Sequence, residues 1–394
     1  MKIQNIRCRE LTGTLKFEGD FWEERLSRPV DIYPEHRDEG VQWVERLRAG
    51  LYRIRLVFVD IETDTGIVGL SGPITRSIAH IIRSDFKALL IGADPLAVEL
   101  LWDKMYRMAV HGRKGITMMA ISALDCALWD IRGKAFNAPV YRLLGGPTRE
   151  RIPAYASMLG FSVEPERAAA RAREYADKGY SAQKWFFRAG PAEGQAGIER
   201  NVALVKAVRE AVGLDYALMF DAWMSWDLRY ARHMAERIAE YHPRWVEEPV
   251  LPDKAEICAE IRRNVPFPIS NGEHEYTRWG FRRLLELGAQ DVLQPDIFWA
   301  GGLTEVVKIA ALASAYDVEV IPHGHSTYAT VHFSASRPPD LCPIQEYLIK
   351  WNALHDFFFT HNPEPVNGFI ELPQPPGMGW EIDQDLVEEE AAIT

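Results

Sequence analysis

Seven ionisable residues follow or close short apolar runs from residue 184 onward. They are Lys184 and Asp221, Glu247 and Glu273, Asp296, His323 and Glu346. Singly, an acid after a strand usually serves as a helix N-cap or a solvated loop residue. Together they describe a site, because rigid strand ends are where scaffolds present reactive side chains. Asp221, Glu247 and Glu273 come from successive strands, so their carboxylates are expected to converge, and like charges gathered that closely need a cation. An oxygen-only set that leaves room for substrate and water suits Mg²⁺ and not Zn²⁺.

Asp296 and His323 end neighbouring strands. A carboxylate there can hold one imidazole nitrogen and leave the other as a base of raised basicity. The stretch IPHGHST (321–327) carries a second histidine, His325, two residues on and past Gly324. It reads either as a residue reaching toward a substrate or as a loop histidine facing solvent.

The elements that must position these groups follow from periodicity. The runs IPAYAS (152–157), YSAQKWF (180–186), YALMFD (216–221), RWVEE (244–248), FPISNGE (267–273), DVLQP (291–295), VEVIP (318–322) and PIQEYL (343–348) read as strands. Charged amphipathic stretches such as 165–179, 201–213 and 303–317 lie between several of them, and this alternation predicts a parallel α/β sheet. With eight such units, closure into a TIM-type barrel is the natural outcome. Upstream, 52–62 alternates like a strand before a turn at 64–66, which predicts an α+β cap. Residues 117–135 carry apolar positions at helical spacing and form a buried bridge into the barrel. The tail 364–385, rich in proline and glycine, should pack back on the cap. The expected units are thus 1–125, 126–360 and 361–394.

Composition narrows the partners. At 394 residues the chain can hold a large barrel and an appendage, and 47% hydrophobic with 26% charged residues is globular. A net charge of −11 argues against a nucleic-acid surface. The N-terminus lacks the apolar core of a signal peptide, and no apolar run is long enough for a bilayer, so no membrane partner and a cytoplasmic location are expected. Cys8, Cys126, Cys258 and Cys342 show no metal or disulfide spacing and read as buried thiols.

The ordered set ISALDCALWDIRGKAFNAPVYRLLGG (121–146), Lys184, MFDAW, WVEEP, SNGEHE, LQPDIFWAGGL and IPHGHST resembles the enolase superfamily, mandelate racemase subgroup. The stretches LMFDAWMSWD, QPDIFWAGGLTEV and EPVNGFIELPQPPGMGWEI are similar to acid-sugar dehydratases, the L-rhamnonate dehydratases among them. The resemblance implies a modified (β/α)7β barrel with an N-terminal α+β cap completed by the C-terminal tail. It implies Mg²⁺ on Asp221, Glu247 and Glu273, His323 with Asp296 as general base and acid, and Glu346 as a partner of the substrate carboxylate. The superfamily's Lys or His bases acting with Mg²⁺ on an ene-diolate are established chemistry. A homo-oligomer is expected.

One departure discriminates among reactions. Racemases of the subgroup place two lysines, one residue apart, at the end of the second barrel strand. Here Lys184 holds the first position and Phe186 the second. A racemase needs a proton donor on each face, whereas elimination proceeds with one residue, so a hydro-lyase acting on an aldonate-type acid is favoured. Lys184 then supplies positive charge near the substrate carboxylate, and Arg188 either meets substrate or makes a surface ion pair. An epimerase or cycloisomerase is the enzymatic alternative; a non-catalytic sugar-binding scaffold would not need Asp296 and His323. In the resemblance, a cap loop covers the sugar, and here it falls within 19–36, with Trp22 and Arg25 expected to rank sugar acids. A rhamnonate-specific loop carries a histidine absent near Phe21 and Trp22, so the resemblance reaches the acid-sugar class and not that acid in particular. His274, beside Glu273, and His325 are the candidates for sugar hydroxyls.

Overall fold

A computed structural model describes residues 1–37 and 44–393. The first sheet is antiparallel and formed by β1 (Ile3–Lys16), β2 (Glu45–Arg48), β3 (Leu51–Thr63) and β4 (Val68–Ile74). In β3 the expected alternation holds only at the start, where Tyr52 and Ile54 are buried between Arg53 and Arg55. From Val57 to Ile61 every residue is buried. A helix at Ile116–Ala135 covers this sheet on one side and meets the helix Gly302–Ser314 on the other. With partners on both sides, it is buried around nearly its whole girth.

Two carboxylates inside that helix join the parts of the chain. Asp125 accepts from the backbone N–H of Thr304 at 2.9 Å. Asp130 accepts from the N–H groups of Leu70 at 2.9 Å and Met378 at 2.8 Å, so one side chain ties sheet, helix and tail. Burial pushes the Asp125 carboxyl up to about 7 and raises that of Asp130 despite Lys134.

The second sheet follows with β5 (Arg151–Ser157), β6 (Ala182–Phe186), β7 (Ala217–Asp221), β8 (Trp245–Glu247), β9 (Ile269–Asn271), β10 (Val292–Leu293), β11 (Glu319–Val320) and β12 (Gln345–Leu348). These eight strands are parallel and pair in chain order, except that β12 returns to β5. The sheet therefore curls on itself. Between β11 and β12 the Val320 N–H donates to Leu341 O at 2.7 Å. Amphipathic helices follow the strands; Leu228–Ile238, for example, buries Tyr230, Ala231, Met234, Ala235 and Ile238 on one face.

The tail divides its contacts. Here β13 (Phe369–Glu371) pairs antiparallel with β5, while β14 (Glu389–Ala392) adds to the edge of β1 in the cap sheet. All four cysteines are buried and free. No helix among the described residues is long and apolar enough to cross a membrane.

Inside the curled sheet, Tyr155, Ala182, Met219, Trp245, Val292, Ile321 and Ile344 form their own apolar cluster, apart from the main core. Strand side chains alternate between faces. Two residues beyond these plug positions stand Ser157, Lys184, Asp221, Glu247, Gln294, His323 and Glu346, so period-two geometry stacks the polar layer directly on the apolar one. At β9 the backbone turns at Gly272 (φ +127°) before Glu273.

Replacing Asp130 by Ala strips two buried N–H groups of their acceptor. Stability should fall by about 2–4 kcal/mol, read as a lower urea midpoint with unchanged slope; an unchanged midpoint would show that the tie contributes nothing.

Candidate active site

Asp221, Glu247 and Glu273 converge as the strand order requires: one oxygen from each lies within 4.8 Å of the others, and all three residues are buried. Burial, compounded by the neighbouring carboxylates, raises all three pKa values, that of Asp221 well above the carboxylate range. A hard, oxygen-only donor set whose charges destabilise one another fits a divalent cation such as Mg²⁺.

Lys184 is the cation on the β6 side. Its Nζ lies 2.5 Å from Glu247, 2.8 Å from Glu346 and 3.4 Å from Asp221. Burial opposes its charge, but Glu247 and Glu346 outweigh that and hold the ammonium pKa well above its ordinary value. Lys184 is therefore drawn to its positively charged form. Phe186 presents its ring 5.4 Å from Nζ, so the position of a racemase's second lysine holds a phenyl group.

The His323 Nδ1 lies 2.7 Å from Asp296 Oδ2, and its Nε2 points toward Glu273, 3.7 Å away. Burial works against an imidazolium here, yet Glu273 and Asp296 prevail and carry its pKa up to about 10. A divalent cation on Glu273 offsets the largest of those raising influences. Glu346 accepts from the Gly324 N–H at 2.9 Å, and any side chain at 324 would strike the Glu346 stem. The glycine between the two histidines thus allows the loop to close onto the carboxylate.

The His325 side chain is only 11% exposed and borders the cavity, so the solvent-facing reading is set aside. Its ring lies against Trp299 at 5.2 Å, Trp351 at 5.8 Å and His355 at 4.2 Å. Burial, aided by His355, depresses its pKa well below the imidazole range, which keeps it neutral. His274 Nδ1–H donates to Glu248 across 2.8 Å, and Trp223 and Trp299 flank it. Burial notwithstanding, Glu248 lifts its pKa to about 9.

A cavity of about 340 Å³ opens above His323 and Glu273. Trp22, Glu24 and Arg28 of the cap loop line it together with Trp299, Leu348 and Trp351. Arg25 also borders it, but its guanidinium is held inside the loop by Asp31 (2.6 Å) and the carbonyls of Leu26 and His36. Of the two roles read for it, Arg188 makes the ion pair: its Nε bonds Glu24 at 3.1 Å, and its Nη2 bonds the carbonyl of Arg37, tethering the cap loop.

Sequence reading missed Glu248. Strict alternation after Glu247 would turn it outward, but φ at Glu248 is +39° and the side chain is buried beside His274. The doubled glutamate in RWVEE was the available signal. Gln294, which donates to Glu247 at 2.8 Å, was readable from its period-two position after Val292.

Residues 48–145 match the N-terminal domain of mandelate racemase / muconate lactonizing enzyme, and residues 167–386 match the enolase C-terminal domain-like family. The chain belongs to the mandelate racemase/muconate lactonizing enzyme family of the enolase superfamily. Its relatives in this family include the L-rhamnonate dehydratase of Saccharopolyspora erythraea, 35% identical across 98% of both chains. The rhamnonate dehydratase of Gibberella zeae, solved in complex with Mg, is 34% identical with a TM-score of 0.84, covering 98% of this chain and 95% of that one. The 3,6-anhydro-D-galactonate cycloisomerase of Zobellia galactanivorans is 31% identical with a TM-score of 0.80, covering 99% and 100%.

For this member of the mandelate racemase family, Glu247→Gln keeps the side-chain shape but removes a ligand charge. Calorimetric titration should show Mg²⁺ affinity reduced by at least about tenfold. Because the carboxylate pKa values are raised, protons compete with the ion, and affinity should also fall as pH is lowered. Unchanged affinity in the variant would remove Glu247 from the site.

Proposed function

We propose that this chain is a Mg²⁺-dependent acid-sugar dehydratase, a hydro-lyase that converts an aldonate-type acid to its 2-keto-3-deoxy product. The observation that carries this reading is the asymmetry of the site: the His323–Asp296 pair stands on one side and Phe186 replaces the second lysine on the other. The kinship with L-rhamnonate dehydratases supports it. The reading includes a (β/α)7β barrel capped by the N-terminal sheet, divided at 1–125, 126–360 and 361–394, with helix Ile116–Ala135 straddling the first boundary.

In this mechanism Asp221, Glu247 and Glu273 hold the ion. When bound, Mg²⁺ supplies positive charge to the substrate carboxylate as the adjacent carbon loses its proton. Lys184 adds a fixed charge on the same side, with Glu346 orienting it. Asp296 keeps the Nδ1–H of His323 in place, so Nε2 is the atom that takes the proton. The imidazolium then returns that proton to the departing hydroxyl, which leaves as water, and the enol product becomes the 2-keto acid. His325, held neutral, and His274 serve the sugar hydroxyls, and the cap loop around Trp22 chooses among acids.

The Zobellia cycloisomerase favours a second reading, in which elimination and ring opening replace loss of water. A screen of mono- and diacid sugars with Mg²⁺ separates the two. The dehydratase reading predicts a 2-keto acid one water lighter than its substrate, abolished by chelation and restored by Mg²⁺. A product of unchanged mass, or full activity in metal-free buffer, would contradict it.

A further inference from the structure

Glu23 sits between Trp22 and Glu24, both of which border the cavity, yet its own side chain points away from it into a cationic socket. Its carboxylate lies 3.0 Å from Lys350 Nζ, 2.5 Å from Arg167 and 4.0 Å from Arg171. The Arg167 side chain is 62% exposed, so solvent screens that pair; the Lys350 side chain is only 2% exposed. The Lys350 ammonium stands 4.2 Å from the centre of the Phe161 ring, and burial lowers its pKa even with Glu23 beside it.

Backbone geometry reinforces the pair. The carbonyl of Gly160 accepts from both the Glu23 N–H at 2.8 Å and Lys350 Nζ at 3.0 Å. The Trp22 ring fills the space that a side chain at Gly160 would need, 1.6 Å from an added Cβ. Lys350 itself lies between Leu348, at the end of β12, and Trp351, and both border the cavity from the barrel side. One ion pair thus joins two segments, at Trp22–Glu24 and at Leu348–Trp351, that both border the cavity.

We propose that Glu23 and Lys350 are positioning residues for the substrate: their buried ion pair clamps the cap loop to the barrel and sets the spacing between Trp22 and Trp351. The proposal rests on the reading that the cavity receives the sugar acid. Neither residue borders the cavity, so the clamp acts on binding and leaves the chemistry at His323 untouched. A preorganised loop lowers the cost of ordering on binding; Glu23→Gln leaves the buried Lys350 ammonium without its carboxylate, and Lys350→Met removes the link to the barrel, so either variant should release the loop.

The experiment uses full-length Glu23→Gln, Lys350→Met and the double variant. With the acid identified by the screen, KM should rise roughly tenfold in each single variant, with kcat within about twofold and Mg²⁺ affinity unchanged. The double variant should match the singles, because both break the same pair. Limited trypsin digestion of the ligand-free protein supplies a readout independent of substrate. Cleavage after Arg25, which Leu26 follows, should be faster in each variant than in the parent. Multiplying KM effects, a loss in kcat at constant KM, or unchanged cleavage would overturn the clamp. If the parent turns over no sugar acid, the functional reading fails and digestion alone decides the clamp. Should Lys350→Met not fold, Glu23→Gln carries both measurements.

Discussion

Too many carboxylates share one dry space. Asp221, Glu247, Glu248, Glu273, Asp296 and Glu346 are all buried at the C-terminal ends of β7 to β12, against Lys184 and the imidazoles of His274 and His323. Even with both imidazoles charged, negative charge remains uncompensated, and burial makes that costly. Much about the site follows from this excess. It draws Lys184, His323 and His274 toward their protonated forms and leaves a place for a divalent cation among Asp221, Glu247 and Glu273. The strands tolerate such crowding because an apolar plug, with Trp245 and Tyr155 at its centre, fixes the layer beneath.

The same electrostatics divides labour between two histidines of one short loop. His323 faces Glu273 and Asp296 and is drawn to the charged form, whereas His325 faces His355 and aromatic rings and is held neutral. Groups whose surroundings push their pKa values apart are suited to different tasks, one moving a proton and the other offering a neutral hydrogen-bonding surface. Lys184 completes the contrast. Three carboxylates hold its proton, so the alternative in which it acts as the base would require breaking the ion cluster that positions it.

The barrel strands and the inward groups were legible in the sequence because both rest on period-two alternation, which is local. For Lys184, Asp221, Glu247, His323 and Glu346 an apolar residue two positions earlier marks the inward face, as in Met219 and Asp221 or Ile321 and His323. Glu248 escaped because a positive φ breaks that period. The cap-loop contacts escaped for a different reason: Lys350 and Glu23 are 327 residues apart, and no local pattern predicts which of many charges will pair across such a distance. The tail was read as returning to the cap; β14 pairs with β1 and β13 with β5, through backbone pairing that composition does not encode.

The central claim is that His323 alone moves the proton on a face that Lys184 cannot serve. Solvent-deuterium exchange at the carbon next to the carboxylate, followed by NMR in His323→Asn with folding and Mg²⁺ binding verified, tests it most directly. The account predicts that exchange and dehydration disappear together, by at least about a hundredfold. Exchange that persists while dehydration fails would contradict it and return the base to Lys184.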